Sequence, residues 1–409
     1  MKNKLSNHGV PSDLRVVFLG ADVSKSGAPM LLLHFVRWLR SHTSVPFGVV
    51  SIWEGALSED FRSVAPTMAL HEDKLWMRLS LRFFRTESRK AVRRALRRSR
   101  LLRFVRRQKA NLIYANTVAV APEVKVLADA GYPILWHIHE MSFNIAYSGG
   151  RAFRENLNCA ARFIAASHPV KQSLVSDMGV PACKIDVVHE FIEPPNLDRS
   201  QIEKARDSLR REMKIAPDAF VVGMCGAMDW RKGVDLFPIL VKHLFSQPCS
   251  RRVHVVWIGG DWEGIYTLQM RHDLSRLGLE DRVHITGFKA NPLEYMATLD
   301  AFALTSREDP FPLAMLEAAA FGLPVVCFAQ SGGAVEFVGD DAGRVVDYLD
   351  VAGMAEALIE LANDPIVRTG LGERARKKVL DTFTSEHQAP KLFEILNAMT
   401  SSDSLGSSA

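Results

Sequence analysis

Short runs of unbroken apolar residues alternate with longer stretches of helical period along most of the chain. In the first half the runs fall at Leu14–Gly20, Phe47–Ile52, Leu112–Ala115, Ile134–Ile138, Phe163–Ala166 and Ile185–Val188. Helical stretches such as Met30–Arg40 and Val118–Asp129 lie between them. A second series comprises Phe220–Cys225, Val253–Ile258, Val283–Thr286, Ala301–Leu304, Val325–Phe328 and Arg344–Val346. Val- and Ile-rich runs without polar alternation mark strands buried on both faces, as in parallel sheets covered by helices. The pattern predicts an α/β chain with two parallel sheets.

Between the two series, Glu190–Asp218 carries Pro194-Pro195 and the charged stretch Arg199–Lys214. This divides the chain into a Rossmann-like domain over 1–190, a linker over 191–217 and a second Rossmann-like domain over 218–383. A helix over 384–400 is expected to cross back to the first domain, and the Ser-rich tail 401–409 to be disordered. The length of 409 residues suits two domains. Open parallel sheets bind ligands outside the carboxyl ends of their strands. The functional residues are therefore expected in the loops that follow strands, facing a crevice between the domains.

Composition narrows the class. With 47% apolar and 24% charged residues the chain reads as globular, and no apolar run is long enough to span a membrane. The polar start before Leu14 argues against a secretory signal. The five cysteines lie far apart with no C-x-x-C pair, which suits a reducing cytoplasm and neither a disulfide framework nor a zinc knuckle. The net charge of +5 conceals an asymmetry: Lys74–Lys109 holds 15 Lys or Arg and one acid, Glu87, and so carries +14 against −9 for the remainder. Val92, Ala95, Leu96, Ser99 and Leu102 fall on one helical face with arginines around it. A basic amphipathic helix of this kind suits an anionic membrane surface, which would place the protein at the cytoplasmic face. No recognition fold or aromatic stacking signature points to nucleic acid.

The chemistry concentrates in Thr305–Phe328. Pro310 and Pro312 mark a loop, Leu313–Phe321 reads as a short helix, and Gly322 fits its C-terminal cap. Glu317 is the only polar residue on that helix, so it needs either a buried base or a ligand. Asp309 stands with seven residues between it and Glu317, and Glu308 is its neighbour. Carboxylates accept paired hydrogen bonds from vicinal hydroxyls, so a sugar and a ribose are natural guests. The helix start, Phe311-Pro312-Leu313, offers N–H groups and a positive dipole end to a phosphate. Arg231 and Lys232 follow the Phe220–Cys225 strand and suit a diphosphate. Gly332 and Gly333, after Val325–Phe328, permit close backbone approach to a ligand, and Gly259-Gly260 is a weaker signal of the same kind. No G-x-G-x-x-G follows the first strand, and no P-loop motif occurs. In the first half, Trp136-His137-Ile138-His139-Glu140 closes a strand, with both histidines on one side. The H-x-H-E spacing lacks a third clear metal ligand, so no metal is expected.

These motifs resemble the nucleotide-sugar-binding half of retaining glycosyltransferases with the GT-B fold, the glycosyl transferases group 1, family 4-like. Asp309 and Glu317 occupy the acid positions of that family's E-x7-E motif, and Gly322-Leu323-Pro324-Val325 matches its G-x-P-V. The resemblance is close from Phe220 to Val346, while the N-terminal half matches mainly in rhythm. The family's usual basic residue just after the first-strand glycine is absent, Ala227 and Met228 standing there. The resemblance implies two Rossmann-like domains and transfer of a sugar, with retention, from a nucleotide-sugar to a glycan or lipid-linked acceptor, without metal or cofactor. It implies that Glu317 binds the ribose, Arg231 and Lys232 the diphosphate, and Asp309 or Glu308 the sugar hydroxyls. It places His139 beside the transferred sugar, and Lys25-Ser26-Gly27-Ala28 near the acceptor and diphosphate, where Gly27 and Ala28 carry the likeness. Polysaccharide or glycolipid synthesis is the expected setting. Two rivals keep the fold: a nucleotide-sugar epimerase, and a catalytically silent member that binds a partner or membrane through the arginine-rich segment.

Overall fold

A computed structural model describes residues 13–71, 86–147, 149–195, 198–289 and 291–400. The chain forms two compact units, one of residues 1–190 with 385–409 and one of 191–384. The expected tail 401–409 and the first part of the basic segment, 72–85, lie outside the described residues.

The first unit holds a seven-stranded parallel sheet. Its strands are β1 (Val16–Gly20), β2 (Phe47–Ser51), β3 (Thr67–Ala69), β4 (Leu112–Asn116), β5 (Ile134–Ile138), β6 (Arg162–Ala165) and β7 (Ile185–Val187), in the order β3-β2-β1-β4-β5-β6-β7. The second unit holds β8 (Phe220–Cys225), β9 (Val253–Ile258), β10 (Val283–Ile285), β11 (Ala301–Leu304), β12 (Val325–Phe328) and β13 (Gly343–Val346), in the order β10-β9-β8-β11-β12-β13. The α/β class with two Rossmann-like sheets is thus observed. In each sheet the direction of winding reverses once, between β1 and β4 and between β8 and β11. Such a reversal leaves loops on opposite sides of adjacent strands, opening a crevice at their carboxyl ends.

The strands are apolar because both faces are covered. Val17, Leu19, Ile113, Trp136 and Ile138 meet one helical layer, and the corresponding cores of the second unit pack Val221, Phe302 and Val325 on one face and Val222, Ala303 and Val326 on the other. The final helix, Ser385–Ala398, packs on Gly27–His42 within the first unit, where Trp38 and Phe393 ring centroids lie 6.1 Å apart.

Residues 191–217, expected as a linker, are instead an integral part of the second unit. They contain the helix Arg199–Glu212, started by an Asp198–Gln201 capping box. The guanidinium of Arg210 is buried and donates to Thr298 O at 2.7 Å, Ala219 O at 3.1 Å and Asp300 Oδ2 at 2.8 Å. Arg206 donates to the other Asp300 oxygen at 2.7 Å. Its charged appearance in sequence hides these inward-facing arginines.

The basic helix Thr86–Arg107 also differs from expectation. Leu101 and Val105 form its buried face, whereas Ala95, Leu96 and Ser99 are exposed and Val92 and Leu102 only partly covered. Two arginines hold the helix down: Arg97 pairs with Glu123 at 2.8 Å, and Arg100 donates to Ala69 O at 3.2 Å and Leu70 O at 3.3 Å. Among the described residues no helix is long and apolar enough to cross a membrane.

Candidate functional site

In the second unit, the loops after β8 and β11 are laced together at the winding reversal. Thr305 Oγ1 donates to Lys232 O at 2.8 Å, and Arg307 N to Arg231 O at 2.8 Å. Gly233 makes this approach possible. Its φ is +72°, and a Cβ there would stand 2.1 Å from Thr305 O. The loop after β12 joins them: Asp309 N donates to Ser331 O at 2.7 Å, and Gly333 N to Asp309 O at 3.1 Å. Gly332, at φ +119°, forms an isolated parallel bridge with Asp309.

This lacing gathers Lys232, Arg231 and Asp309. Lys232 Nζ is hydrogen-bonded to Asp309 Oδ2, Arg231 lies 3.6 Å from Oδ1, and Ser306 Oγ donates to Oδ2 at 3.2 Å. Burial pushes the Asp309 carboxyl up, but Lys232 and Arg231 outweigh it and hold the group below the usual carboxylate range. Asp309, expected to grip a sugar, is therefore turned onto the two cations. Glu308 is partly exposed, and its backbone carbonyl accepts from Arg231 at 3.2 Å.

Glu317 is different. It sits in the Leu313–Ala320 helix among Met315, Leu316, Ala318 and Ala319, and no hydrogen bond or ion pair reaches it among the described residues. Burial alone pushes its carboxyl up to about 7. The Cys225 thiol at the end of β8 is pushed up to about 12 by burial, with Glu317 adding and Lys232 opposing. Both side chains therefore lie within electrostatic reach of the β8 terminus. Two cations, one paired carboxylate and one unpaired carboxyl thus share the carboxyl ends of β8 and β11.

Other expected residues separate into backbone and side-chain cases. Phe311, named as a donor contact, buries its ring in the core, 5.3 Å from the Phe383 ring centroid. Only its backbone stays with the loop. Pro312 caps the helix N-terminus in extended conformation, and Leu313 begins it, partly exposed.

In the first unit, Gly27 opens the Gly27–His42 helix after β1, with Ala28 next to it. Asn116, the last residue of β4, donates through Nδ2 to Ala28 O at 3.0 Å. His139 lies beyond β5, buried, with both ring nitrogens engaged: Nδ1 is 3.0 Å from Glu190 Oε1 and Nε2 is 2.9 Å from Asn116 Oδ1. Asn116, Glu190 and Ser306 were not singled out from sequence. The usable signals were an Asn closing a fully apolar strand and a Glu set, with His189, between the apolar pairs Val187-Val188 and Phe191-Ile192. Among the described residues no group of three or more His, Cys, Asp or Glu could hold a metal ion.

Comparison with known proteins agrees with this architecture. The sequence family described as Glycosyl transferases group 1 matches residues 205–378, and Glycosyltransferase Family 4 matches 64–194. The lipopolysaccharide core biosynthesis glycosyltransferase LpsE of Rhizobium meliloti is 31% identical over 43% of this chain and 49% of its own. A D-inositol 3-phosphate glycosyltransferase of Kineococcus radiotolerans is 30% identical over 56% of each chain. These matches span about half the length of the curated relatives. The crystal structure of Anabaena Alr3699/HepE in complex with UDP-glucose superposes with a TM-score of 0.76 over 94% of this chain and all of that one, at 22% identity. That likeness is one of fold.

Proposed function

Because the chain belongs to the glycosyl transferases group 1 with a GT-B fold, we propose that it transfers a sugar from a nucleotide-sugar donor to a glycan or lipid-linked acceptor. The observation that carries this reading is the half-buried Glu317 carboxyl, which no hydrogen bond or ion pair reaches among the described residues, and which lies, like Lys232, within electrostatic reach of Cys225 at the end of β8. A ribose supplies the hydroxyl donors that Glu317 lacks. The diphosphate shares Arg231 and Lys232 with Asp309 and meets the first N–H groups of the Leu313 helix. As the sugar leaves, these cations stabilise the charge that develops on the diphosphate. Asp309, held by both cations, orients them, and Asp309 or Glu308 grips the sugar hydroxyls. Gly332 and Gly333 line the same edge through their backbone. His139 stands beside the sugar in the first unit, where Gly27 and Ala28 border the acceptor. This reading uses the protein's own cations, without metal or cofactor, and includes transfer with retention, which the family resemblance supports.

The named relatives act in lipopolysaccharide core biosynthesis and on D-inositol 3-phosphate. They support a surface polysaccharide or glycolipid as product, and a cytoplasmic setting is part of the same proposal. The exposed arginines of the Thr86–Arg107 helix support attachment to an anionic membrane.

Thermal-shift measurement against UDP, GDP, ADP and their hexose conjugates tests the donor assignment. One nucleotide series is expected to stabilise the protein, by about 2.7 kcal/mol at a hundredfold excess over Kd, and Lys232→Met to lose most of that shift. A panel without any shift would overturn the assignment. Release of an epimerised nucleotide-sugar in the absence of acceptor would favour the epimerase instead.

A further inference from the structure

The loops that follow β1, β2 and β3 are tied to one another through their backbones at the carboxyl edge of the first unit's sheet. Ile52 N donates to Gly20 O at 3.0 Å, Trp53 N to Ala21 O at 2.9 Å and Leu57 N to Val23 O at 2.8 Å. Gly55 lets the second loop lie this close, since a Cβ there would stand 2.7 Å from Val23 O. On the other side, Leu70 N donates to Ser51 O and His71 N to Ile52 O, both at 2.8 Å. The three loops form one braced ledge on the edge where open parallel sheets take their ligands.

Trp53 stands on that ledge. Its ring lies flat against His71, with centroids 3.9 Å apart and planes 6° from parallel. The residue is nevertheless 55% exposed. A face-to-face neighbour covers one side of the indole, so the open area is the opposite face and the rim. Burying a tryptophan is strongly favourable, and this chain does so with Trp136 and Trp257. Trp53 is instead held in one plane at a sheet edge with a face to solvent. An aromatic face fixed in this way offers a large contact area at little cost in side-chain entropy.

The surroundings select the kind of guest. Asp22 directly follows Ala21, the residue that accepts from Trp53 N. One Asp22 carboxylate oxygen accepts from Ser24 N at 2.9 Å, and no hydrogen bond or ion pair reaches the other among the described residues. Ser24 and Ser26, joined through their hydroxyls at 2.9 Å, continue the ledge to Gly27. The loop after β2 adds Glu54, exposed and paired to Arg62. An apolar face beside carboxylate and hydroxyl groups matches a pyranose, which has C–H bonds on its faces and hydroxyls around its edge. An acyl chain would leave the carboxylate and hydroxyls unsatisfied, and a phosphate would be repelled by Asp22 and Glu54.

We propose that the open face of Trp53 is a subsite for a pyranose ring of the acceptor, with Asp22 accepting from its hydroxyls. The subsite rests on the reading of the first unit as the acceptor side, and it supplies the contact that recognises the acceptor sugar itself.

Indole N–H signals of nitrogen-labelled protein read this contact without any reaction. The Trp53 signal, one of seven, is identified by its loss in Trp53→Phe. The sugars to be tried are maltotriose, chitotriose and a lipopolysaccharide core oligosaccharide freed of lipid. At least one is expected to move the signal, and to bind more weakly in Asp22→Asn. Binding of that sugar is expected to weaken about tenfold in Trp53→Ala and to be largely kept in Trp53→Phe. Transfer assays are expected to show the same pattern in the acceptor KM, with the donor KM and acceptor-independent hydrolysis of the donor unchanged. A Trp53 signal that no sugar moves, an acceptor KM unaltered in Trp53→Ala, or Trp53→Phe no better than Trp53→Ala would overturn the subsite. Movement of the signal by phosphatidylglycerol vesicles and by no sugar would make Trp53 a membrane contact and overturn it equally. If Trp53→Ala fails to fold, the wild-type signal still decides. A sugar held at Trp53 in a protein that no nucleotide stabilises would leave the subsite standing and sink the donor assignment alone.

Discussion

Glu317 couples stability to pH in a direction opposite to that of most carboxylates. Burial raises its carboxyl from near 4.5 to about 7 in the folded protein. Between those values the native state keeps a proton that the unfolded chain has lost. Stability is therefore greatest below the lower value, falls as pH rises through the window, and is level above it. The full loss is up to about 3 kcal/mol. Glu317→Gln removes the titration, so its melting temperature is expected to vary less between about pH 5 and pH 7.5. Above that range the variant should be at least as stable as the wild-type protein. Its nucleotide-induced shift should shrink, because an amide offers one acceptor oxygen where a carboxylate offers two. Parallel melting curves for the two proteins across that range would refute this account. Asp309 shows why such assignments need coordinates. In sequence it looks as available as Glu317, yet Lys232 and Arg231, more than seventy positions earlier, have already claimed it.

At the scale of elements, the buried strands were legible because each is a continuous apolar run between turn signals. Phe220–Cys225, Val253–Ile258, Ala301–Leu304 and Val325–Phe328 fall where the pattern places them. The strand Thr67–Ala69 was not legible, being three residues at a sheet edge directly after Pro66. The Arg199–Glu212 helix was missed for another reason: its inward face is made of arginines, and their partners Thr298 and Asp300 are nearly ninety positions away. The same logic hides the Glu190–His139 pair. These arginines make a prediction about packing. Burial raises the Asp300 carboxyl, but Arg206 and Arg210 bring it below its usual range, so its contribution to stability is present at neutral pH and lost on acidification. Arg210→Met strips one charge partner and leaves the carbonyl of Thr298 without its donor. Urea denaturation at neutral pH is expected to show a loss of about 3 kcal/mol in the second unit's transition. Arg210→Met with Asp300→Asn should cost less than the two single changes summed. A loss below about 1 kcal/mol would mean that the helix is only loosely held.

The charge of the whole molecule is divided between a segment of +14 and a remainder of −9, and among the described residues of that segment the structure separates two kinds of arginine. Arg97 and Arg100 are structural, tied to Glu123 and to the carbonyls of Ala69 and Leu70. Arg98, Arg103, Arg106 and Arg107 instead line a groove of about 650 Å³ with Ala95, Ser99 and Leu102. Four exposed cations beside a partly apolar floor can attract anionic headgroups while small apolar side chains meet the acyl boundary. Each engaged cation contributes about 1 kcal/mol near an anionic surface. The protein is expected to cosediment with phosphatidylglycerol-containing vesicles, not with phosphatidylcholine alone. Raising salt to about 0.5 M should release it, because screening then acts within a few ångströms. Gln at Arg98, Arg103, Arg106 and Arg107 together should abolish cosedimentation and leave the melting temperature nearly unchanged. Gln at Arg97 and Arg100 should do the reverse, lowering the melting temperature by loosening the helix from the core. If the fourfold variant still binds, or binds as well to neutral vesicles, the exposed arginines are a solvated face, and the attachment of this molecule to membranes must be sought elsewhere.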